Sequence, residues 1–289
     1  MNDASAPPPS ERPAPGGGWA QGLRDRTFSG LLMGVVAFAV LRQGDIAFAT
    51  LVAAGAAVLA WEWARLCSGG RFGAIGIATG AVFLGAVALA FADRVDLALG
   101  ICFAGAATVA ILARTQRRAI GPAWAALGIF YLGPALVALI WLRGHGEDGE
   151  RLVLWLLVTV VVTDTGAFFA GRLIGGPRLA PRISPKKTWA GLGGAVAGTC
   201  LLGFVYRALD PGAPSGPVLA LAGAAIACVA QLGDLAESWV KRHFGAKDSS
   251  QLIPGHGGLL DRVDGLVAAA IFLSVFQVAT QGRWLDFSG

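Results

Sequence analysis

Charged residues are scarce in this chain, and their scarcity decides its class before any motif is considered. Only 14% of the 289 residues are Asp, Glu, Lys or Arg, whereas 55% are hydrophobic and the mean hydropathy is +0.63. Soluble domains carry about 25% charged residues. The apolar residues also fall into long uncharged blocks, so the composition excludes a soluble globular domain. It predicts an all-α polytopic membrane protein.

Cysteine is also rare, which limits the metal and redox chemistry that the chain can support. Its four cysteines are scattered and form no Cys-x-x-Cys pair. Such residues are typical of small buried side chains rather than of a zinc site or a disulfide framework. The pI of about 9.4 needs no nucleic-acid partner, because the positions of the basic residues follow the membrane topology described below.

Nine uncharged blocks lie between charged flanks, and we interpret them as about nine transmembrane helices. The first two, of 15 and 16 residues, are shorter than the roughly 17–25 residues of a spanning helix, so a re-entrant pair is an alternative. The blocks are Thr27–Leu41, Ile46–Trp61, Phe72–Ala92, Leu97–Ala113, Ala119–Leu142, Leu152–Gly171, Thr188–Tyr206, Val218–Gly233 and Gly265–Thr280.

The basic residues predict the orientation of these helices. With a cytoplasmic N-terminus and nine spans, 17 of the 23 lysines and arginines lie on the cytoplasmic side. This asymmetry is what the positive-inside rule expects. We therefore predict a multi-pass protein of the inner (cytoplasmic) membrane. Its expected regions are a disordered tail at 1–26, N-terminal transmembrane helices at 27–151, and a catalytic region at 152–289.

The second half carries polar residues at positions where a membrane protein does not ordinarily need them, whereas the first half is expected to be chemically quiet. Asp164 lies inside the sixth block, and a carboxylate at membrane depth marks a functional site by default. A structural aspartate bonded to Thr163 or Thr165 is the alternative. In the next loop Ser184 is placed to cap a helix, and Lys186 and Lys187 beside that helix start favour phosphate binding.

A second polar segment follows the eighth block. On a continued helix, Asp234, Ser238 and Lys241 share one face, and Asp261 and Asp264 share another at the start of the ninth span. Aspartates are ligands that Mg²⁺ prefers, and neighbouring cations hold phosphate oxygens. The sequence therefore predicts metal–polyphosphate chemistry at one membrane surface. A solvated face of mixed charges is the alternative, and it accounts poorly for so many residues together.

The segment Ser238–Asp264 resembles the signature of the phosphatidate cytidylyltransferase (CDP-diacylglycerol synthase) family. The family pattern is Ser, two residues, Lys-Arg, four residues, Lys-Asp, then an aliphatic residue, Pro, one residue, His-Gly-Gly, two residues, Asp-Arg, one residue and Asp. Every fixed position is filled here. Asp164-Thr165-Gly166 and Ser184–Trp189 are also similar, so the likeness covers about residues 155–280. Ala190 departs from the Glu or Gln often found there.

The resemblance implies a Mg²⁺-dependent reaction of CTP with phosphatidate that yields CDP-diacylglycerol and pyrophosphate for phospholipid biosynthesis, with two metal sites expected. It implies an active site on the cytoplasmic face, in contact with the lipid bilayer, and leaves a homodimer open. The residues expected to act directly in catalysis are Asp234, Lys241, Asp261 and Asp264. The expected metal ligands are Asp234 and Asp261, followed by Asp264, Asp248 and Asp164. The expected substrate contacts are Ser184, Lys186, Lys187, Ser238, Arg242, Lys247, His256 and Arg262.

Other functions remain open at this level. A CTP-dependent polyprenol kinase or a CDP-archaeol synthase would use similar nucleotide–lipid chemistry. The CDP-alcohol phosphotransferases need Asp-Gly-x-x-Ala-Arg followed by Gly-x-x-x-Asp-x-x-x-Asp, which this sequence lacks. A transporter with Asp164 as an ion site would carry polar residues near the midplane of several spans. Here the polar residues gather at one surface instead.

Overall fold

The computed structural model describes residues 32–115, 120–144, 146–253 and 257–287. The predicted tail at 1–26 and the predicted substrate residue His256 lie outside these ranges. Nine helices occur in the described chain: α1 Leu32–Arg42, α2 Asp45–Cys67, α3 Ala74–Phe91, α4 Val95–Thr115, α5 Pro122–Arg143, α6 Gly146–Leu173, α7 Trp189–Leu209, α8 Gly216–His243 and α9 Leu260–Thr280.

The class of all-α polytopic membrane protein is confirmed. Eight of the described helices, α2 to α9, are long and apolar enough to cross a membrane. Large apolar side chains such as Ile77, Leu201 and Val275 are exposed on their outer faces, as lipid contact requires. The helix that contains the second uncharged block is longer than the block itself. It continues past Trp61 through Glu62 and Arg65, so α2 has 23 residues. The ninth span and the cytoplasmic N-terminus stay predictions.

The connection between α6 and α7 departs from the expected helix cap. Residues Ser184–Thr188 form strand β2, which pairs antiparallel with β1, Arg178–Ala180. Ser184 as a helix cap is therefore wrong. Thr188 caps α7 instead, since its side-chain oxygen accepts a hydrogen bond from the Gly191 amide at 3.0 Å. The two consecutive lysines before Thr188 favour an exposed hairpin over a helix start.

Small residues allow the last four helices to pack closely. A Cβ atom added at Gly166 of α6 would lie 2.7 Å from the carbonyl oxygen of Gly194 in α7, and one added at Gly233 of α8 would lie 2.8 Å from the carbonyl oxygen of Asp264 in α9. In lipid there is no hydrophobic driving force between helices, so van der Waals packing must hold them together. Glycine at the contacts lets the helix backbones approach closely enough for that packing. The approach at Gly233 also brings the polar ends of α8 and α9 together.

The bundle has two chemically different ends. We call the site end the one where α2, α6 and α8 finish and α9 begins, and the far end the one where α6 and α8 begin and α9 finishes. The C-terminal segment lies at the far end, where the side-chain amide of Gln277 donates to the Leu285 carbonyl at 3.1 Å and Phe287 is buried.

Candidate active site

Most of the polar residues singled out in the sequence lie at the site end, on three helices and one hairpin. Asp164 comes from α6, Asp234 and Lys241 come from α8, and Asp261 and Asp264 come from the first two turns of α9. The hairpin strand β2 carries Lys186 and Lys187. The helical spacing predicted for α8 is confirmed, since Gly216–His243 is one continuous 28-residue helix.

Three carboxylates form what we call the acidic cluster: Asp164, Asp234 and Asp264. Asp164 interacts electrostatically with Asp234, and Asp264 interacts with both of the others. Asp234 is held from two sides, by Lys187 Nζ at 2.7 Å from Oδ2 and by the Ser238 hydroxyl at 3.2 Å from Oδ1. The hairpin is thus tied to α8 at the cluster. Three acids against one paired lysine leave an excess of negative charge for a cation to balance.

Asp261 is in a different environment from the acidic cluster. Its Oδ1 lies 2.5 Å from Lys241 Nζ. Its Oδ2 accepts hydrogen bonds from the Ser249 amide at 2.9 Å, the Ser249 hydroxyl at 2.9 Å and the Gly258 amide at 2.8 Å. A carboxylate offers about four lone-pair positions, so these four donors occupy it. In this arrangement Asp261 holds the loop before α9, and its role as a metal ligand stays a prediction.

Lys241 is buried, with 8% of its surface exposed, and lies between two carboxylates. Its Nζ is 2.5 Å from Asp261 Oδ1 and 2.5 Å from Glu237 Oε2. Glu237 is 1% exposed, and its Oε1 has no hydrogen-bond partner among the described residues. Because a buried charge is costly unless it is paired, Lys241 holds these two acids close together. The sequence did not identify Glu237 as a site residue, although its i, i+4 spacing to Lys241 was visible.

Glu62 shows that the first half of the chain is not chemically quiet, and that expectation is wrong. This residue of α2 is completely buried, yet its carboxylate accepts hydrogen bonds from Ser250, Leu259 and Leu260. A second missed residue is Tyr131 of α5, whose hydroxyl lies 3.4 Å from the Asp264 carbonyl oxygen. A lone acid before the end of an apolar block was the available signal for Glu62; nothing in the sequence marked Tyr131.

The remaining predicted cations differ from the buried lysines. Lys186, Lys247 and Arg262 are exposed, and no described carboxylate lies within 4 Å of them. Arg262 is near enough to Asp164 to interact electrostatically with it. Arg242 is also exposed and donates to the Ala246 carbonyl at 3.0 Å. Arg262 thus adds positive charge beside the acidic cluster, and the exposed cations of the site end remain available for phosphate oxygens.

Two glycines before α9 bring backbone close to the buried carboxylates of Asp261 and Glu62. Gly257 has a φ of +86°, and a Cβ atom there would lie 2.8 Å from Asp261 Oδ2. One at Gly258 would lie 2.4 Å from Glu62 Oε1. Ile253 and Gly257 exchange backbone hydrogen bonds of 2.8 and 3.1 Å, so residues 254–256 are bracketed by a fixed pair. Asp248 is exposed at the edge of this loop.

The acidic cluster fits a divalent cation by its chemistry. Its donors are hard carboxylate oxygens with an uncompensated negative charge, the type of site that Mg²⁺ prefers. No three His, Cys, Asp or Glu side chains of the described residues are close enough together to enclose a metal ion. Mg²⁺ usually takes only one or two carboxylates and completes its shell with water and substrate phosphates, so the arrangement suits a metal that arrives with a nucleotide.

The fold and the site together define a class: a polytopic membrane protein with an acidic cluster and free cations at one end of a lipid-exposed bundle. Comparison with known proteins identifies the family. Residues 24–279 match the model of the cytidylyltransferase family. The chain belongs to that family.

Curated relatives carry a more specific name. A phosphatidate cytidylyltransferase of Brucella suis is 41% identical over 259 residues, which is 88% of this chain and 93% of the relative. One of Pseudomonas aeruginosa is 36% identical over 245 residues, covering 81% and 89%. One of Haemophilus influenzae is 43% identical over 135 residues, covering 44% and 46%.

Proposed function

We propose that this protein transfers the cytidylyl group of CTP to phosphatidate, forming CDP-diacylglycerol and releasing pyrophosphate. The carrying observation is the acidic cluster together with exposed cations at the same end of a lipid-exposed bundle. One substrate is a soluble nucleotide and the other is a lipid, so the reaction needs a site where headgroups meet water. The names of the curated relatives agree with this assignment.

The chemistry asks for charge neutralisation rather than for a strong base. A phosphate oxygen of the lipid attacks the α-phosphorus of CTP, a new P–O bond forms, and the bond to the β-phosphate oxygen breaks with pyrophosphate as leaving group. The nucleophile is already ionised at neutral pH. The obstacle is the approach of two anions, so positioning and electrostatic stabilisation supply the rate.

The residues divide this work according to their surroundings. Asp234 and Asp264, with Asp164 nearby, would hold Mg²⁺, which when bound neutralises phosphate charge and orients the leaving group. Lys187 keeps Asp234 in place, and the exposed Lys186, Lys247 and Arg262 contact phosphate oxygens. Asp261 and Lys241 fix the start of α9 relative to α8. The Asp261→Asn variant tests whether Asp261 also binds a second metal.

The site end is proposed to face the cytoplasm, because CTP is a cytoplasmic substrate and the predicted inside loops carry most of the basic residues. The far end then faces the opposite side of the inner membrane. The bilayer is part of the site in this proposal, since phosphatidate reaches the acidic cluster from its own leaflet. The division into N-terminal helices at 27–151 and a catalytic region at 152–289 stays a prediction, and so does a homodimer.

The test uses purified protein in detergent with CTP labelled at the α- or the γ-phosphate. Label from α-labelled CTP should enter the lipid phase only with phosphatidate and Mg²⁺, and pyrophosphate should appear in equal amount. Label from γ-labelled CTP in the lipid would instead mean a kinase, and a preference for isoprenoid acceptors would mean archaeal-type lipid synthesis. Ion flux in proteoliposomes without pyrophosphate release would mean a transporter. Asp234→Asn serves as the inactive control.

A further inference from the structure

The start of α9 lacks the side-chain cap that its position requires. The residue before the helix is Leu259, whose backbone is already helical and whose side chain makes no capping hydrogen bond. The first amides of a helix have no partner within the helix, and when buried they need one from elsewhere. Leu260 is completely buried, so water does not provide it. This helix carries Asp261 and Asp264, and its position therefore matters to the site.

Glu62 supplies the missing cap from a distant part of the sequence. Its Oε1 accepts from the Leu259 amide at 2.8 Å, and its Oε2 accepts from the Leu260 amide at 2.6 Å. The two residues are nearly 200 positions later in the chain. A carboxylate at a helix N-terminus also interacts favourably with the helix dipole. The capping residue of α9 is thus located in α2.

The same carboxylate holds the loop that precedes α9. The Ser250 hydroxyl donates to Glu62 Oε1 at 2.6 Å. The Ser249 hydroxyl lies between two acceptors, 2.9 Å from Asp261 Oδ2 and 3.3 Å from Glu62 Oε2. Its single proton serves one of them at a time. The Ser249 amide stays bonded to Asp261 Oδ2 at 2.9 Å, so the network runs from Glu62 through Ser249 and Asp261 to Lys241 of α8 when the hydroxyl donates to Glu62.

We propose that Glu62 is a positioning residue for the site: it fixes Ser249, Ser250 and the first turn of α9 against α8, so that Asp261 and Asp264 meet the substrates. This inference rests on the proposed function for its effect on turnover. It assigns a site role to the N-terminal half of the bundle. Gly258 supports it, because any side chain there would overlap the Glu62 carboxylate.

The test replaces Glu62 by glutamine, which keeps the size of the side chain but turns one acceptor into a donor facing donors. Protein that stays monodisperse in detergent should lose about 10- to 100-fold in kcat/KM for CTP, since small displacements of a catalytic group have effects of this size. Asp96→Asn makes the same chemical change at an exposed position of the far end and should leave the rate unchanged. Ser250→Ala removes one donor only and should have an intermediate effect.

Amide hydrogen exchange separates positioning from general destabilisation. In Glu62→Gln the Leu259 and Leu260 amides should exchange at least about tenfold faster, while the Gly212 amide, bonded to Asp210 at the far end, should not change. Equal acceleration at all three amides, or a kcat/KM within twofold of wild type, would overturn the proposal. If wild-type protein made no CDP-diacylglycerol, the proposed function would fail, and the exchange result alone would decide whether Glu62 holds the loop.

Discussion

The two ends of the bundle both contain buried or half-buried ion pairs, but the balance of charge differs between them. At the far end arginines pair with acids: Arg151 binds Asp210 with an Nε–Oδ2 distance of 2.9 Å, and Arg143 binds Asp45 at 2.6 Å and Glu150 at 3.5 Å. Arg151 also contacts Phe287, through its carbonyl and its ring. These pairs close the far end and fix the C-terminal segment.

At the site end the acids outnumber their partners. Lys187 pairs with Asp234, and Lys241 pairs with Asp261 and Glu237. Asp164, Asp264 and the nearby Glu62 form no ion pair with a lysine or arginine among the described residues. Lys186, Lys247 and Arg262 take part in none of these pairs and are exposed. A balanced set of charges stabilises a fold, whereas an unbalanced set lowers its free energy only when a ligand supplies the missing charge. The difference indicates which end binds ligands.

The largest expected effect is the location of each end of the bundle, because a reporter fusion lies either on the cytoplasmic side of the membrane or on the opposite side. Reporter fusions after Arg118, Lys187 and Gly289 should report cytoplasm, cytoplasm and the opposite side, because 17 of 23 basic residues fall on the predicted inner side. Activity reporters for both compartments are used on each fusion. A cytoplasmic C-terminus would contradict the nine-span topology.

The second-largest effect is expected when a carboxylate of the site end is replaced. Asp234→Asn and Asp261→Asn should each lower kcat by about 10²–10³-fold, as loss of one preorganised electrostatic contact does. They should differ in stability. Asp261→Asn loses the buried Lys241 pair and should lower the thermal midpoint, whereas Asp234→Asn loses the Lys187 pair but also relieves repulsion from Asp164 and Asp264, so its midpoint should fall less.

The thermal midpoint and kcat of wild type, Asp234→Asn and Asp261→Asn are measured over a range of Mg²⁺ concentrations. An Asp234→Asn rate that excess Mg²⁺ restores would support a metal-binding role. Near-normal activity of Asp261→Asn at ordinary Mg²⁺ would contradict the predicted role of Asp261 as a metal ligand. Asp261 would then only hold the loop before α9.

A smaller effect is expected at His256, which lies outside the described residues. If the lipid phosphate is the nucleophile, its second pKa near 6 shapes the acid limb of the pH profile, because the dianion is lost below it. His256→Gln should then lower the rate but keep that limb. The profile of kcat against pH at saturating CTP is compared for both proteins. A flattened acid limb in the variant would make His256 a general base, with a cost of about 10²–10⁴-fold.

The smallest effect is expected at the far end. The hydrogen bond from Arg151 holds the pKa of Asp210 below its ordinary value. A lowered pKa in the folded state gives stability that is present above the unfolded value and is lost as the pH falls through the folded one. Asp210→Asn should therefore cost about 1 kcal/mol at pH 7 and less below pH 4, without changing kcat. Thermal midpoints at the two pH values test this, and a loss of turnover would contradict a purely structural far end.

The sequence was most informative where local pattern and chemistry coincide. Uncharged blocks predicted the helices, since lipid demands long apolar segments with satisfied backbones. The spacing of Asp234, Ser238 and Lys241 predicted one face of a continued helix. The short loop before α7 was misread, because a Ser-Pro pair is compatible with either a helix start or a strand.

By itself the sequence determined the membrane class, the position of the polar segments and the family resemblance, because hydropathy and motif spacing are local properties. Only the tertiary structure decided how the predicted residues divide between an acidic cluster and a buried network around Asp261. The tertiary structure was also needed to show that Glu62 caps α9, because no sequence periodicity indicates a hydrogen bond between residues almost 200 positions apart. Which carboxylates are occupied and which are free depends on distances between helices, and those are set by packing.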